Sequence, residues 1–293
     1  MVHFSIKIWC TFHLLFAIEK ILNIKDKGDV NIMNLKEIHE KSEELMDLLR
    51  LKSFPLAVKL LEDEKSIPSK AERPVRDWGY HLDLCQAFSM SRWEEKTIAM
   101  LKKDMWCFEP VVGYGLAEPP EDFLKGNNRY PFSAMSQKAG EKWATSLPKM
   151  RVGQYIGIIS ASLRKCTFEP DVMIVYVDPS QITQILIAKN CIDGEDISCS
   201  LSGHAACVYA VVPVMQDKKC KIVSPCRGDR RIAMAQDNEM IFSAPMTFLE
   251  DLIRSLKYLK KQKWGYPWPY SLKPERELTN NYAELGRKMG MDY

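Results

Sequence analysis

The sequence has no C-x-x-C pair, no G-x-x-x-x-G-K-[ST] loop, no G-x-G-x-x-G after a strand, no H-E-x-x-H and no G-x-S-x-G. With them go the short signatures of a zinc ribbon, a phosphate loop, a dinucleotide fold, a zinc-protease helix and a hydrolase nucleophile elbow. Gly113-Tyr114-Gly115 is too short to replace any of them. A dominant charge is also lacking: 41 Lys and Arg against 38 Asp and Glu leave +3. Nucleic-acid binders normally show a basic domain or stripe, so none is expected as a partner. No apolar run approaches the ~20 residues of a membrane span, so no membrane partner is expected either.

What the chain does have is cysteine, nine in 293 residues: Cys10, Cys85, Cys107, Cys166, Cys191, Cys199, Cys207, Cys220 and Cys226. A chain this long buries a full core without staples. The count is odd and spread over more than two hundred residues, unlike a small disulfide framework. A reducing cytoplasm fits better, where many cysteines serve as small buried apolar residues.

Ile8 to Ile18 is apolar, but His13 interrupts it, Glu19 and Lys20 stop it, and no small-residue cleavage pattern follows. Asn34 to Leu51 opens at once as an amphipathic helix behind Met33. Codons for Lys27-Gly28-Asp29 can read as a purine-rich ribosome-binding site. Residues 1–32 are therefore expected to be a non-native extension with Met33 the true start, which sets Cys10 aside.

Past Met33, Pro55 to Leu61 reads as a strand and Glu62 to Asp77 as a long loop. Leu82 to Arg92 is a helix, Thr97 to Leu101 a strand and Ser133 to Ser146 a helix. Tyr155 to Ser162 and Val172 to Val177 are β-rich, and Asp178 starts a helix. Ile197 to Leu201 reads as a strand, Gly203 to Met215 as a helix, Cys220 to Val223 and Glu239 to Ser243 as strands, and Met246 to Lys261 as an amphipathic helix. The expected class is α/β or α+β, a mixed sheet with flanking helices, as one domain over 33–262. The tail 263–293 is aromatic and proline-rich, packing on the body or on a second subunit of a homo-oligomer.

Two blocks share an order of parts. Cys85 sits in a helix, a strand follows, and Cys107 comes after it with 21 residues between; Cys207 sits in a helix, a strand follows, and Cys226 comes after it with 18 between. If a pseudo-twofold relates two similar halves, four thiols meet at one point. Four thiolates suit an iron–sulfur cluster or a tetrahedral zinc. The competing reading is that the cysteines are structural and no metal binds. Cys166, Cys191, Cys199 and Cys220 are assigned to packing in either case.

Cys226-Arg227-Gly228-Asp229-Arg230-Arg231 sets three guanidinium groups around a glycine. Arg227, Arg230 and Arg231 are candidates to hold a carboxylate or phosphate. The plainer reading is a solvated turn in which Asp229 pairs with one arginine. His81 near Cys85 and His204 near Cys207 are second-rank ligands or bases.

Cys85-Gln86-Ala87, Cys107 with Gly113-x-Gly115-Leu116, Gly203 to Cys207, and Pro225-Cys-Arg-Gly-Asp-Arg230 with Asp237-Asn-Glu-Met240 together resemble the domain-of-unknown-function 169 family. The resemblance runs from about Met33 to Leu256. It implies a bacterial or archaeal protein, often from anaerobes, with no assigned role; anaerobic hosts suit an oxygen-sensitive cluster. The leading expectation is thus a cytoplasmic redox or metal-binding protein with a redox partner. Alternatives are a small-anion binding or regulatory protein, an enzyme with one activated thiol, and an assembly role through the tail.

Overall fold

The computed structural model describes residues 33–269, 272 and 278–292. The expectation for residues 1–32, Cys10 included, lies outside them. Asn34 starts the first helix, α1 (Leu35–Leu49), through a capping box: its side chain accepts from the Glu37 N–H at 3.1 Å, and Glu37 accepts from the Asn34 N–H at 3.0 Å. Strand β1 (Leu56–Leu61) follows, then α2 (Leu84–Trp93), β2 (Ile98–Leu101), α3 (Phe108–Gly113), α4 (Glu121–Leu124), α5 (Gln137–Thr145) and β3 (Gly157–Ser162). The second half runs β4 (Val172–Val177), α6 (Pro179–Asp193), α7 (Ala206–Asp217), β5 (Lys221–Val223), α8 (Arg227–Ile232), β6 (Met240–Pro245) and α9 (Leu249–Lys261). A last helix, α10 (Asn280–Lys288), lies in the tail.

The six strands form one sheet in the order β2-β3-β1-β4-β6-β5, antiparallel at every pairing. Both faces are covered. Leu56, Val58, Leu60, Val172 and Ile174 face a core shared with α2, α3 and α7, whereas Ala57, Leu61, Met173, Val175 and Phe242 face α1, α6 and α9. Two-sided burial explains why these strands read as continuous apolar runs rather than as apolar–polar alternation. The protein is a mixed α/β fold with flanking helices, as expected from the sequence.

The strand order reads the same from either edge. β1 and β4 are central, β3 and β6 flank them, and β2 and β5 are the edges. In chain order each half visits a central strand, then an edge strand, then the intermediate strand. The edge strand is preceded by α2 in the first half and by α6 and α7 in the second; α3, α4 and α5 follow it in the first half, where α8 alone does in the second. The halves join in the sheet only through β1 and β4, where Leu56, Ala57 and Val58 face Ile174, Met173 and Val172. Off the sheet, Arg92 at the end of α2 is fully buried and reaches into the second half. Its guanidinium donates to both Glu239 carboxylate oxygens at 3.0 Å and lies 3.8 Å over the Tyr176 ring.

Two expectations change. Ile197 to Leu201 is irregular rather than a strand: Ser198 to Leu201 are exposed, so the run has no buried face to fix a register. The segment after Cys226, read as a turn, is the short helix α8, and the segment after Cys107 is the short helix α3.

Arg92→Met strands a buried carboxylate on Glu239 and is expected to cost about 3–5 kcal/mol in denaturant unfolding. Adding Glu239→Leu is expected to recover a substantial part of that loss. A single variant within ~1 kcal/mol of wild type would mean the pair does not tie the halves together.

Candidate functional site

Each favoured cysteine stands at a helix start. Cys85 and Cys207 are the second residues of α2 and α7, and Cys107 and Cys226 are the N-caps of α3 and α8. The helices pack crosswise between halves, α2 on α8 and α3 on α7. The close α3–α7 approach needs a glycine, because a Cβ on Gly113 would begin 2.5 Å from the Val208 side chain. Next to it the buried Tyr114 hydroxyl donates to the Cys207 carbonyl at 2.8 Å, pinning the start of α7.

The outcome is one cleft of about 630 Å³ lined by Cys85, Cys107, Cys207 and Cys226. A side chain begun on Gly228 would meet the Cys226 and Cys85 sulfurs at 3.5 and 3.6 Å, so thiols from the two blocks flank the same glycine. Among the described residues, no group of three or more His, Cys, Asp and Glu side chains is gathered closely enough to hold a metal ion as it stands. Zinc–sulfur bonds of ~2.3 Å would require sulfurs about 3.8 Å apart around a tetrahedral zinc.

Burial dominates the thiols. It raises Cys85 and Cys107, with Asp229 and Glu109 next in effect, and raises the fully enclosed Cys207 well above its ordinary range. Cys226 is pushed up to about 11, against the opposing pull of the Asp229 and Ala206 backbone N–H groups. Ala206 opens α7, so a helix start in the second block is directed at the N-cap sulfur of α8. The carboxylate of Asp229 accepts from the Cys226 N–H at 3.0 Å and from the Tyr176 hydroxyl at 3.1 Å, which rules out the expected pairing with a neighbouring arginine as its main role.

The other candidates divide. Arg227, Arg231 and His204 line the cleft. Arg230 does not: its guanidinium donates to the Gln236 carbonyl at 2.5 Å and the Glu239 carbonyl at 3.3 Å, bracing the turn after α8. His81 packs at a tilt against Trp106, ring centroids 5.1 Å apart, and is not on the cleft wall. Of the cysteines assigned to packing, Cys166 and Cys220 are buried, but Cys191 and Cys199 are exposed. The irregular, solvated course of residues 195–202 accounts for Cys199.

Three cleft residues escape sequence reasoning. Glu109 accepts from the Cys107 thiol at 2.8 Å and pairs with Arg129, whose guanidinium also donates to His204 Nδ1 at 3.1 Å. Trp143 packs edge-on to His204 at 5.0 Å with Arg129 4.5 Å over its ring. Glu109 had a local signal, two residues past Cys107 in the first turn of a helix. Arg129 and Trp143 had none, since the partners of Arg129 lie 20 and 75 residues away in sequence.

The family model described as uncharacterised ArCR matches residues 44–255, a span containing all four cleft cysteines. Among curated proteins, the chain is similar to an uncharacterised protein of Methanocaldococcus jannaschii. The two are 24% identical over 235 residues, covering 79% of this chain and 98% of that relative. No solved structure matches.

Because only the thiolate reacts, native metal-free protein treated with iodoacetamide at neutral pH is expected to label first at Cys191 and Cys199. The cleft thiols should follow only on denaturation. Peptide mapping that found Cys107 or Cys226 labelled as fast as Cys199 would refute the burial of the cleft.

Proposed function

Because the chain belongs to the DUF169 family of uncharacterised ArCR proteins, its activity has to be read from the cleft, and we propose that Cys85, Cys107, Cys207 and Cys226 ligate an iron–sulfur cluster. One observation carries the reading: four thiols from equivalent positions in two repeated blocks line a single cleft. A pseudo-twofold through β1 and β4 is the simplest source of that repeat, and it puts the cluster on the axis.

The donor set fits. Thiolates are costly in this burial, and a bound metal core supplies the positive charge that reverses the cost as the thiols release their protons. The starts of α2 and α7 favour negative charge at Cys85 and Cys207. Backbone N–H groups near a sulfur, such as Ala206 toward Cys226, are among the features that tune a cluster's potential. Zinc is the weaker choice, because it would require all four sulfurs to close on one ion. When bound, the cluster supplies one-electron chemistry, and a redox partner is the implied counterpart. The thiols in the described residues are all unpaired, in keeping with a reducing cytoplasm.

A second reading, a binding protein for a small anionic metabolite with structural cysteines, is favoured by Arg227 and Arg231. Both line the cleft and neither forms an ion pair among the described residues. In that case a quadruple Cys→Ser variant retains its ligand.

The full chain, purified and reconstituted without oxygen, is expected to contain iron and acid-labile sulfide and to absorb broadly in the visible. Cys→Ser at any of the four cleft positions should lower iron content and bleach the spectrum, whereas Cys166→Ser and Cys220→Ser should not. Colourless protein without iron, or zinc without sulfide, would overturn the proposal.

A further inference from the structure

Two buried nitrogens on the cleft wall have no hydrogen-bond partner among the described residues: Nε2 of His204 and Nε of Arg129. The first has a determined chemical identity. His204 is 7% exposed, and its Nδ1 faces the Arg129 guanidinium at 3.1 Å. A guanidinium only donates, so Nδ1 is the bare nitrogen and the ring proton sits on Nε2. Burial, followed by the Arg129 charge, holds the imidazole down to about 4, so the ring stays neutral near pH 7. Trp143 and Tyr209 fix it edge-on, at 5.0 and 5.8 Å. A buried, oriented N–H donor without an acceptor is costly unless a bound molecule supplies one.

The surroundings narrow what that molecule is. Arg129 is already matched by Glu109, but Arg227 and Arg231, both exposed and without an ion pair among the described residues, line the same cleft. Phe132, Trp143 and Ile232 add apolar wall, and Phe132 is 90% exposed at its mouth. A neutral donor asks for an acceptor oxygen, the two exposed arginines at the rim ask for an anionic end, and the apolar wall asks for a carbon body. The geometry points to a small organic acid bearing a carbonyl or hydroxyl oxygen in addition to its carboxylate, with His204 Nε2–H donating to that oxygen and Arg227 and Arg231 holding the carboxylate. This ligand class deepens the small-anion reading of the cleft and does not depend on a cluster being present.

Pyruvate, 2-oxoglutarate and phenylpyruvate serve as probes in calorimetric titrations of the full chain, both reconstituted and metal-free, with acetate and inorganic phosphate as comparators. At least one oxo acid is expected to bind with a Kd of about 1 mM or below and more tightly than either comparator. His204→Ala is expected to weaken it about tenfold, His204→Gln, which keeps an N–H donor, by less, and His81→Ala not at all. Arg231→Ala should weaken every carboxylate. Long-range ¹⁵N–¹H spectra should show the His204 proton on Nε2 and a shift of that signal on binding.

Equal binding of oxo acids, acetate and phosphate would overturn the proposal, as would wild-type affinity in His204→Ala or no binding in either protein state. Unbound Nε2–H resting on the Trp143 ring, with no response to any probe, would do the same. Iron content reports separately on the cluster, so the two failures are distinguishable.

Discussion

The antiparallel pairing of β1 with β4 is the constraint on which the rest of the structure depends. It is the only seam in the sheet between the two halves, and it is short, with Leu56, Ala57 and Val58 against Ile174, Met173 and Val172. Running the two central strands in opposite directions turns one half around relative to the other on the same sheet face. Only then do α2 and α7 lie as neighbours, each with the short helix of the opposite half across it. Every cross-half contact near the cleft, from Gly113 against Val208 to Tyr114 on the Cys207 carbonyl, presupposes that arrangement.

The cleft is an electrostatic compromise. Cys85 and Cys207 are buried and Cys107 and Cys226 half-buried, a withdrawal from water that by itself favours protonated, inert thiols. The same site collects helix starts, backbone N–H groups and arginines, all of which favour negative charge, together with Asp229 and Glu109, which oppose it. The buried Arg92–Glu239 pair behind α2 fixes the wall from the far side, and Arg230 braces the adjoining turn through backbone carbonyls.

The legible parts of the site were those with a local signature. Cys85 and Cys107, and Cys207 and Cys226, could be paired because helix, strand and second cysteine recur in the same order within about twenty residues. Arg227 and Arg231 could be proposed because they adjoin Cys226. Arg230 could not be separated from them, since all three share one turn and only the three-dimensional path of residues 236–239 decides that the Arg230 guanidinium is taken up by backbone carbonyls. The Ile197 to Leu201 run shows the converse error: its residues suit a strand, yet no buried face exists to hold one.

The sequence by itself determined the secondary-structure plan, the family and the repeated cysteine blocks, because periodicity, caps and motif spacing are local properties of a chain. Only the tertiary structure decided that the blocks share one cleft, that Glu109, Arg129 and Trp143 belong to it, and that His204 Nδ1 faces the Arg129 guanidinium. Those facts rest on contacts between residues tens of positions apart, created when β1 and β4 pair. No pattern along the chain records them.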